Sequence, residues 1–340
     1  MPHSESDHRA QVPSTSTPVS SRAVIETFVT RHELPSGRRQ VFAMLPFEFI
    51  AGFYETLVES AKVRFIEFSE LPFAPDTPLD TEAALLELFR NEFAAWKQQV
   101  SAQPPRFNML IQHDSDDGPL ETVYLCELEG ELGIKSTTAV FARKIDVHGV
   151  TQDYEIDFER LKHLQETKGL CFAYHCNAAE LAHYEEAKIA NEFDSDVERL
   201  ESKGLRIGFF SPHGGVSSAQ GSNNHSYFYP GLSKRRLIWT HNRFAPSGQR
   251  YSDGSWIARI RKPASGLDLR AYMLARLGAA TPFRNRHILL LHPQYYFAKD
   301  SRAAEPHFAQ NPWLEEFWEL QARGLASNYW DSVREALRAL

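Results

Sequence analysis

Apolar and polar positions along this chain fall into blocks whose period switches between helical and extended. Residues 47–60 (FEFIAGFYETLVES) carry apolar side chains at helical spacing, and Val63-Arg64-Phe65-Ile66-Glu67-Phe68 alternates faces as a short strand. A Pro-rich connector spans 71–78. Asp80-Thr81-Glu82 then caps a helix running to about residue 100, with Leu85, Leu86, Leu88, Phe89, Phe93 and Trp96 on its apolar positions and Pro104-Pro105 beyond its end. From there strand and helix alternate. The pattern predicts a strand over 107–112, a helix over 121–132 stopped by Gly133, a strand over 136–141, a helix over 158–167 stopped by Gly169, and a strand over 170–175. A single long helix over 178–202 with a stop at Gly204 comes next, then strands at 206–210 and 237–240, a helix over 267–277 and a strand over 287–291. The stretch after about residue 311 reads as amphipathic helix packed on the outside. Such alternation predicts an α/β fold with a parallel sheet and crossover helices.

With 340 residues, 42% of them apolar and 12% aromatic, the chain can bury a full core, and barrels of this length form single domains. The expected organisation is a disordered polar tail over 1–20 and one domain over 21–340. A net charge of −7, from 44 acids against 37 scattered bases, gives no basic stripe and argues against nucleic acid as a partner. The tail has no apolar core segment of a signal peptide, and no apolar run approaches the roughly 20 residues a membrane helix needs. Cys126, Cys171 and Cys176 are odd in number and lack CxxC spacing, which fits a reducing compartment and a cytoplasmic location. The oligomeric state leaves no trace in the sequence.

Polar and Gly-Pro signals gather just after the strands: His113-Asp114-Ser115-Asp116-Asp117-Gly118-Pro119, His175-Cys176-Asn177, Ser211-Pro212-His213-Gly214-Gly215 and His292-Pro293. In a parallel sheet those positions share one rim, where ligands bind. Asp114, Asp116 and Asp117 crowd like charges at one strand end, a penalty that a cation removes. An Asp-rich turn is the plainer alternative. Asp114 and Asp116 would point to one side in extended geometry and Asp117 elsewhere. One acid can hold a divalent metal, best zinc, while another takes a proton from attacking water, whose pKa the metal lowers toward ~7. His175 and His213, each ending an apolar strand, are the best nitrogen ligands, although a lone strand-end histidine is more often structural. His292 suits a general acid that protonates a leaving amine. Gly214 permits close approach of a substrate, Asn224 and Asp253 lie in loop sequences able to meet hydroxyls, and Tyr174, Trp239 and Tyr295 offer a stacking wall or simply core. A GxSxG elbow, a phosphate loop, HExxH and a GxGxxG helix start are all absent. Cys176 beside His175 is a weak nucleophile candidate, because adjacent strand residues face opposite ways.

These motifs resemble the polysaccharide deacetylase superfamily, the NodB-like fold of carbohydrate esterase family 4, in its branch carrying HDxD in place of TFDDGP. His113-Asp114-Ser115-Asp116 matches HDxD, and Asp116-Asp117-Gly118-Pro119 matches the tail of TFDDGP. Two assignments therefore stay open: Asp116 as base with Asp117 as ligand, or base and ligand divided between Asp114 and Asp116. His175 in Tyr174-His175-Cys176-Asn177 resembles the first histidine of the second motif, whose usual second histidine is Ala179 here. The family commonly holds its metal with one Asp and two His, so the resemblance points to His213, in a His-Gly loop like that of the branch, as the second imidazole. Leu290-Leu291-His292-Pro293 resembles the last motif, whose histidine acts as acid, with Pro293 at the customary Asp. The likeness spans roughly residues 40–300. It implies a distorted, incomplete (β/α) barrel and metal-dependent removal of N-acetyl groups from a carbohydrate, and the missing secretion signal points to an intracellular substrate such as a nucleotide- or lipid-linked glycan intermediate. A non-catalytic sugar-binding relative, suggested by Ala179, and a hydrolase of another C–N bond such as a cyclic amide are the alternatives.

Overall fold

The computed structural model describes residues 20–34, 45–75, 79–146, 148–215, 218–219, 221–240, 249–253, 268–279, 283, 286–297 and 312–340. Apart from Ser20, the expected tail lies outside them.

The chain opens with helices α1 (Ser21–Arg31) and α2 (Phe47–Val58), strand β1 (Val63–Ile66) and helix α3 (Glu82–Ser101). Strand β2 (Phe107–Asp114), helix α4 (Pro119–Leu132) and strand β3 (Ser136–Val140) follow, then a hairpin of β4 (Arg143–Ile145) and β5 (Thr151–Asp153). The middle of the chain forms α5 (Phe158–Lys168), β6 (Cys171–Cys176), α6 (Ala178–Leu181), α7 (Glu186–Ser202), β7 (Ile207–Pro212), α8 (Tyr229–Leu232) and β8 (Ile238–Trp239). Strand β9 (Gln249–Ser252), helix α9 (Leu269–Leu277), strand β10 (Arg286–Leu291) and helices α10 (Pro312–Ala322) and α11 (Asp331–Ala339) complete it. Gly133 and Gly169 end α4 and α5 in the left-handed conformation that only glycine adopts without strain.

Seven strands lie in the order β8-β7-β6-β3-β2-β10-β9, every pairing parallel, and the sheet curls into half of a barrel flanked by helices, so the fold is a partial (β/α) barrel. Strand β2, fifth in that order, is buried along its whole length. One edge of β2 takes β10 over Asn108–His113, and the other is shared by β1 along Phe107–Leu110 and β3 along Ile111–Asp114. Because all these strands run the same way, the ends of β2, β6, β7, β9 and β10 meet at one rim.

Two apolar cores pack against the sheet. Helix α3 turns Leu85, Leu88, Phe89 and Trp96 into one of them. It is tied to β10 by a buried ion pair, Arg286 Nη1 to Glu92 Oε1 at 2.6 Å and Nη2 to Oε2 at 2.8 Å, with the guanidinium 4.9 Å from the Trp96 ring. In the other core, the aromatic residues of α2 and of the C-terminal helices interlock. Phe49 packs 4.9 Å from the Trp330 ring, and the Trp330 indole donates to the Phe49 carbonyl at 3.1 Å. Burying each such side chain contributes about 1.5–3 kcal/mol.

The long helix expected over 178–202 is two helices. His183 (φ 49) and Tyr184 (φ 61) are left-handed, and Tyr184 N–H turns back to the Ala179 carbonyl at 2.7 Å, closing α6 before α7 begins. Helix α1, the β4–β5 hairpin and β9 have no counterpart in the sequence reading. Among the described residues no helix is long and apolar enough to cross a membrane.

Candidate metal centre

Strand β2 delivers the first acids. Alternation sets Gln112 and Asp114 on one face, where Gln112 Nε2 donates to Asp114 Oδ1 at 3.1 Å. Ser115 N–H continues the sheet by bonding the Ala139 carbonyl at 3.1 Å, and the Ser115 carbonyl accepts from the Tyr154 hydroxyl. Asp116 is thereby fixed just above the strand end. Pro119, pre-set for a first helical turn, then leads the chain into α4.

Asp116 meets histidines from three other strands. His175, on β6, is buried; its Nδ1 faces the Ser211 carbonyl at 3.1 Å and its Nε2 lies 2.9 Å from Asp116 Oδ1. A carbonyl can only accept, so Nδ1 carries the proton and Nε2 is the nitrogen free for a metal. His213 follows β7, and its backbone N–H is pinned to the Cys176 carbonyl at 2.8 Å, which holds the two strand ends together. Its Nε2 is 3.8 Å from Asp116 Oδ1, and its Nδ1 is 3.5 Å from Glu180 Oε2 on α6. Gly215 makes room for that carboxylate: at φ 55, a Cβ there would fall 2.2 Å from Glu180 Oε1. His292 follows β10. Its Nδ1 is 2.5 Å from Asp253 Oδ1, its backbone N–H donates to Asp253 Oδ2 at 2.6 Å, and its Nε2 is 3.6 Å from Asp116 Oδ2.

The ionisation of these groups follows from their placement. Burial opposes charge on Asp116, yet the imidazoles of His292, His175 and His213 hold its carboxyl well below the usual range. Burial alone would lower His292, but Asp253 and Asp116 lift it to about 10. His175 is likewise raised, with burial outweighed by Asp114 and Asp116.

Ligand atoms of Asp116, His175 and His213 all lie within 4.8 Å of one another. One carboxylate and two imidazoles form a donor set that suits zinc and its neighbours, with positions left for water and substrate. Side-chain exposures of 19% for Asp116 and 22% for His213 keep that side open to solvent.

The structure thus brings Asp116, His175, His213 and His292 together, with Asp114 beside them acting on both His175 and His292. Asp117 does not join the cluster; its carboxylate pairs with Lys144, whose ammonium also donates to the Asp116 carbonyl at 2.8 Å. Asp253 serves His292 and accepts the Tyr296 hydroxyl at 2.9 Å. Gly214 is exposed next to His213. Asn224 is buried, and its carbonyl oxygen accepts the Ala179 N–H at 3.1 Å, an anchor for α6. The Tyr295 ring lies 5.1 Å from that of His292. Tyr174 and Trp239 are core, and the Tyr174 hydroxyl donates to Asp196 at 2.8 Å. Burial pushes the Cys176 thiol far above its ordinary value, which leaves it no nucleophilic character. All three cysteines are buried and unbridged.

Glu180, Lys144 and Arg250 escaped the sequence reading. Glu180 lies in α6, directly after Ala179. No family model matches this chain, and no curated protein matches it.

Proposed function

We propose that this protein is a metal-dependent amidohydrolase that removes N-acetyl groups from a carbohydrate. The observation that carries the reading is Asp116 set between two kinds of imidazole. His175 and His213 complete a metal-ligand set on one side, and His292, backed by a buried carboxylate, stands on the other. Asp116, His175 and His213 would hold the ion, most suitably zinc. When bound, it supplies Lewis-acid polarisation of the amide carbonyl.

The chain's own groups do the rest. Asp114, next to the triad but outside it, accepts the proton of the attacking water, which assigns base and ligand to the Asp114/Asp116 pair. His292 carries a proton on Nε2 and gives it to the departing amine nitrogen. Asp253 keeps the other imidazole nitrogen protonated and the ring aimed, the role an orienting carboxylate plays in acid–base dyads. The likeness of the rim motifs to polysaccharide deacetylases supports a sugar substrate.

The test is metal content by elemental analysis of the purified protein, beside His175→Ala and His213→Ala, followed by acetate release from N-acetylated sugars. About one equivalent of zinc or a similar ion, lost in both variants, together with acetate release by the wild type, is the expected result. A wild type that takes up no metal after reconstitution overturns the mechanism. Metal binding without acetate, but with ring opening of a cyclic amide, would move the activity to that substrate class.

A further inference from the structure

The face of the sheet that carries Asp114 holds a charge for which the chemistry above has no use. Arg250 lies on β9 opposite Ile288 of β10, which in turn lies opposite Leu110 of β2. Residues in register across parallel strands share a face, so Arg250 stands on the face of Leu110, Gln112 and Asp114. Its charge acts on Asp114 and on the His225 imidazole, and His225 is also within the influence of His175 and His213. The guanidinium therefore belongs to the same cleft as the metal centre.

Its Nε and Nη1 are closed off from solvent and have no hydrogen-bond partner among the described residues. Asp114 does not meet that need: its bonded oxygen takes the Gln112 amide. On the same face, Gln112 Oε1 is buried and also without a donor. Burial pulls the Arg250 guanidinium down to about 10 against the pull of Asp114, so it is charged at neutral pH. Buried guanidinium N–H groups call for partners, and at Arg250 two nitrogens of one group stand without them on the face of the candidate site. Guanidinium donors match the oxygens of carboxylate and phosphate better than any neutral group does.

We propose that Arg250 makes this cleft an anion-recognising one: the substrate carries a carboxylate or phosphate that Arg250 binds while its amide lies at the triad, and a sugar hydroxyl donates to Gln112 Oε1. The proposal rests on the amidohydrolase reading for the amide and on Arg250 alone for the anion.

Binding is measured by calorimetry on the full-length protein stripped of metal, so that neither turnover nor an anion on the metal enters. The probes are N-acetylglucosamine, its 1-phosphate, its 6-phosphate and its 6-carboxylate. The expected result is at least tenfold tighter binding of one anionic probe than of the neutral sugar, abolished in Arg250→Gln and partly kept in Arg250→Lys. Which anion gains separates a phosphorylated sugar from a uronate. Equal affinity for all four probes in the wild type, no binding of any anionic probe, or a preference that survives in Arg250→Gln overturns the proposal. Acetate release by the zinc-loaded protein is scored separately. An anion preference without acetate leaves Arg250 its role and removes the hydrolase, and acetate without a preference does the reverse.

Discussion

Asp253→Asn isolates the charge that sets the state of His292 while keeping the size of the side chain. Asp253 is fully buried and accepts from His292 Nδ1, from the His292 backbone N–H and from the Tyr296 hydroxyl. An amide offers one acceptor oxygen where the carboxylate offers two, so at least one of these donors ends against an NH2 group. The imidazole stands lifted from 6.5 to about 10. At 1.36 kcal/mol per unit, that lift corresponds to about 5 kcal/mol favouring the charged ring, net of the burial that opposes it. Without Asp253, the burial penalty stays and only Asp116 and Asp114 counter it, so the titration of His292 is expected to fall. Its folded-state pKa is above the unfolded value, so the stability it contributes is complete below pH 6.5 and is lost as pH rises through about 10. The metal-free wild type should therefore lose stability across that window, and Asp253→Asn should lose less across it and be less stable at pH 6 by about 3–5 kcal/mol, as for other broken buried pairs. NMR titration of the His292 ring protons and urea unfolding at pH 6, 8 and 10 read both effects. A variant ring that still titrates near the wild-type value, or an unchanged slope of stability with pH, would refute the assignment of Asp253 as the controlling charge.

Four further outcomes follow from the same geometry. Glu180→Gln weakens the hold on His213 and should cost 10- to 100-fold in metal affinity by chelator competition, an order typical of the carboxylates behind metal-ligating histidines; unchanged affinity would leave His213 held by packing alone. Asp116→Asn should lose the metal, whereas Asp117→Asn should retain it and shift stability by about 0–1 kcal/mol, since its pair with Lys144 is a surface one; the opposite pattern in elemental analysis would restore Asp117 as the ligand. Glu92→Gln leaves Arg286 buried without its partner and should cost about 3–5 kcal/mol in urea unfolding, much of it recovered in the Glu92→Gln/Arg286→Met double variant; strict additivity of the two changes would deny the coupling. Ala179→His in a His213→Ala background should not regain metal, because Ala179 is wholly enclosed and enlarging a packed position costs about 1–3 kcal/mol; full recovery would show that α6 can yield.

The parts of the fold that the sequence announced are those whose periodicity is long and whose ends carry a stop signal. Helices α4 and α5 end at glycines that the chain needs for left-handed turns, and β2, β6, β7 and β10 are apolar runs buried by the sheet itself. What stayed hidden depends on contacts far apart in sequence. Strand β9 is four residues, QRYS, whose extended state comes from pairing with β10, and no local pattern marks it. The break between α6 and α7 falls at two non-glycine residues with positive φ, His183 and Tyr184, inside an unbroken helical pattern.

The same division runs through the site. His175, His213 and His292 were legible because each ends an apolar strand, and a parallel sheet turns strand ends into neighbours whatever their distance in sequence. Their partners were not, because a carboxylate such as Glu180 or Asp253 becomes an orienting group only through where its own element happens to pass. Ala179 shows why spacing alone misleads. Four residues beyond His175 it offers no ligand: the position is enclosed in the core and anchored through its N–H to Asn224. The neighbouring strand β7 instead brings His213 to Asp116, and α6 contributes Glu180, whose carboxylate lies 3.5 Å from the His213 ring. Metal binding constrains where donor atoms stand and not which element carries them. A second imidazole on β7 therefore completes the donor set of the proposed site without any short spacing in the sequence that marks it.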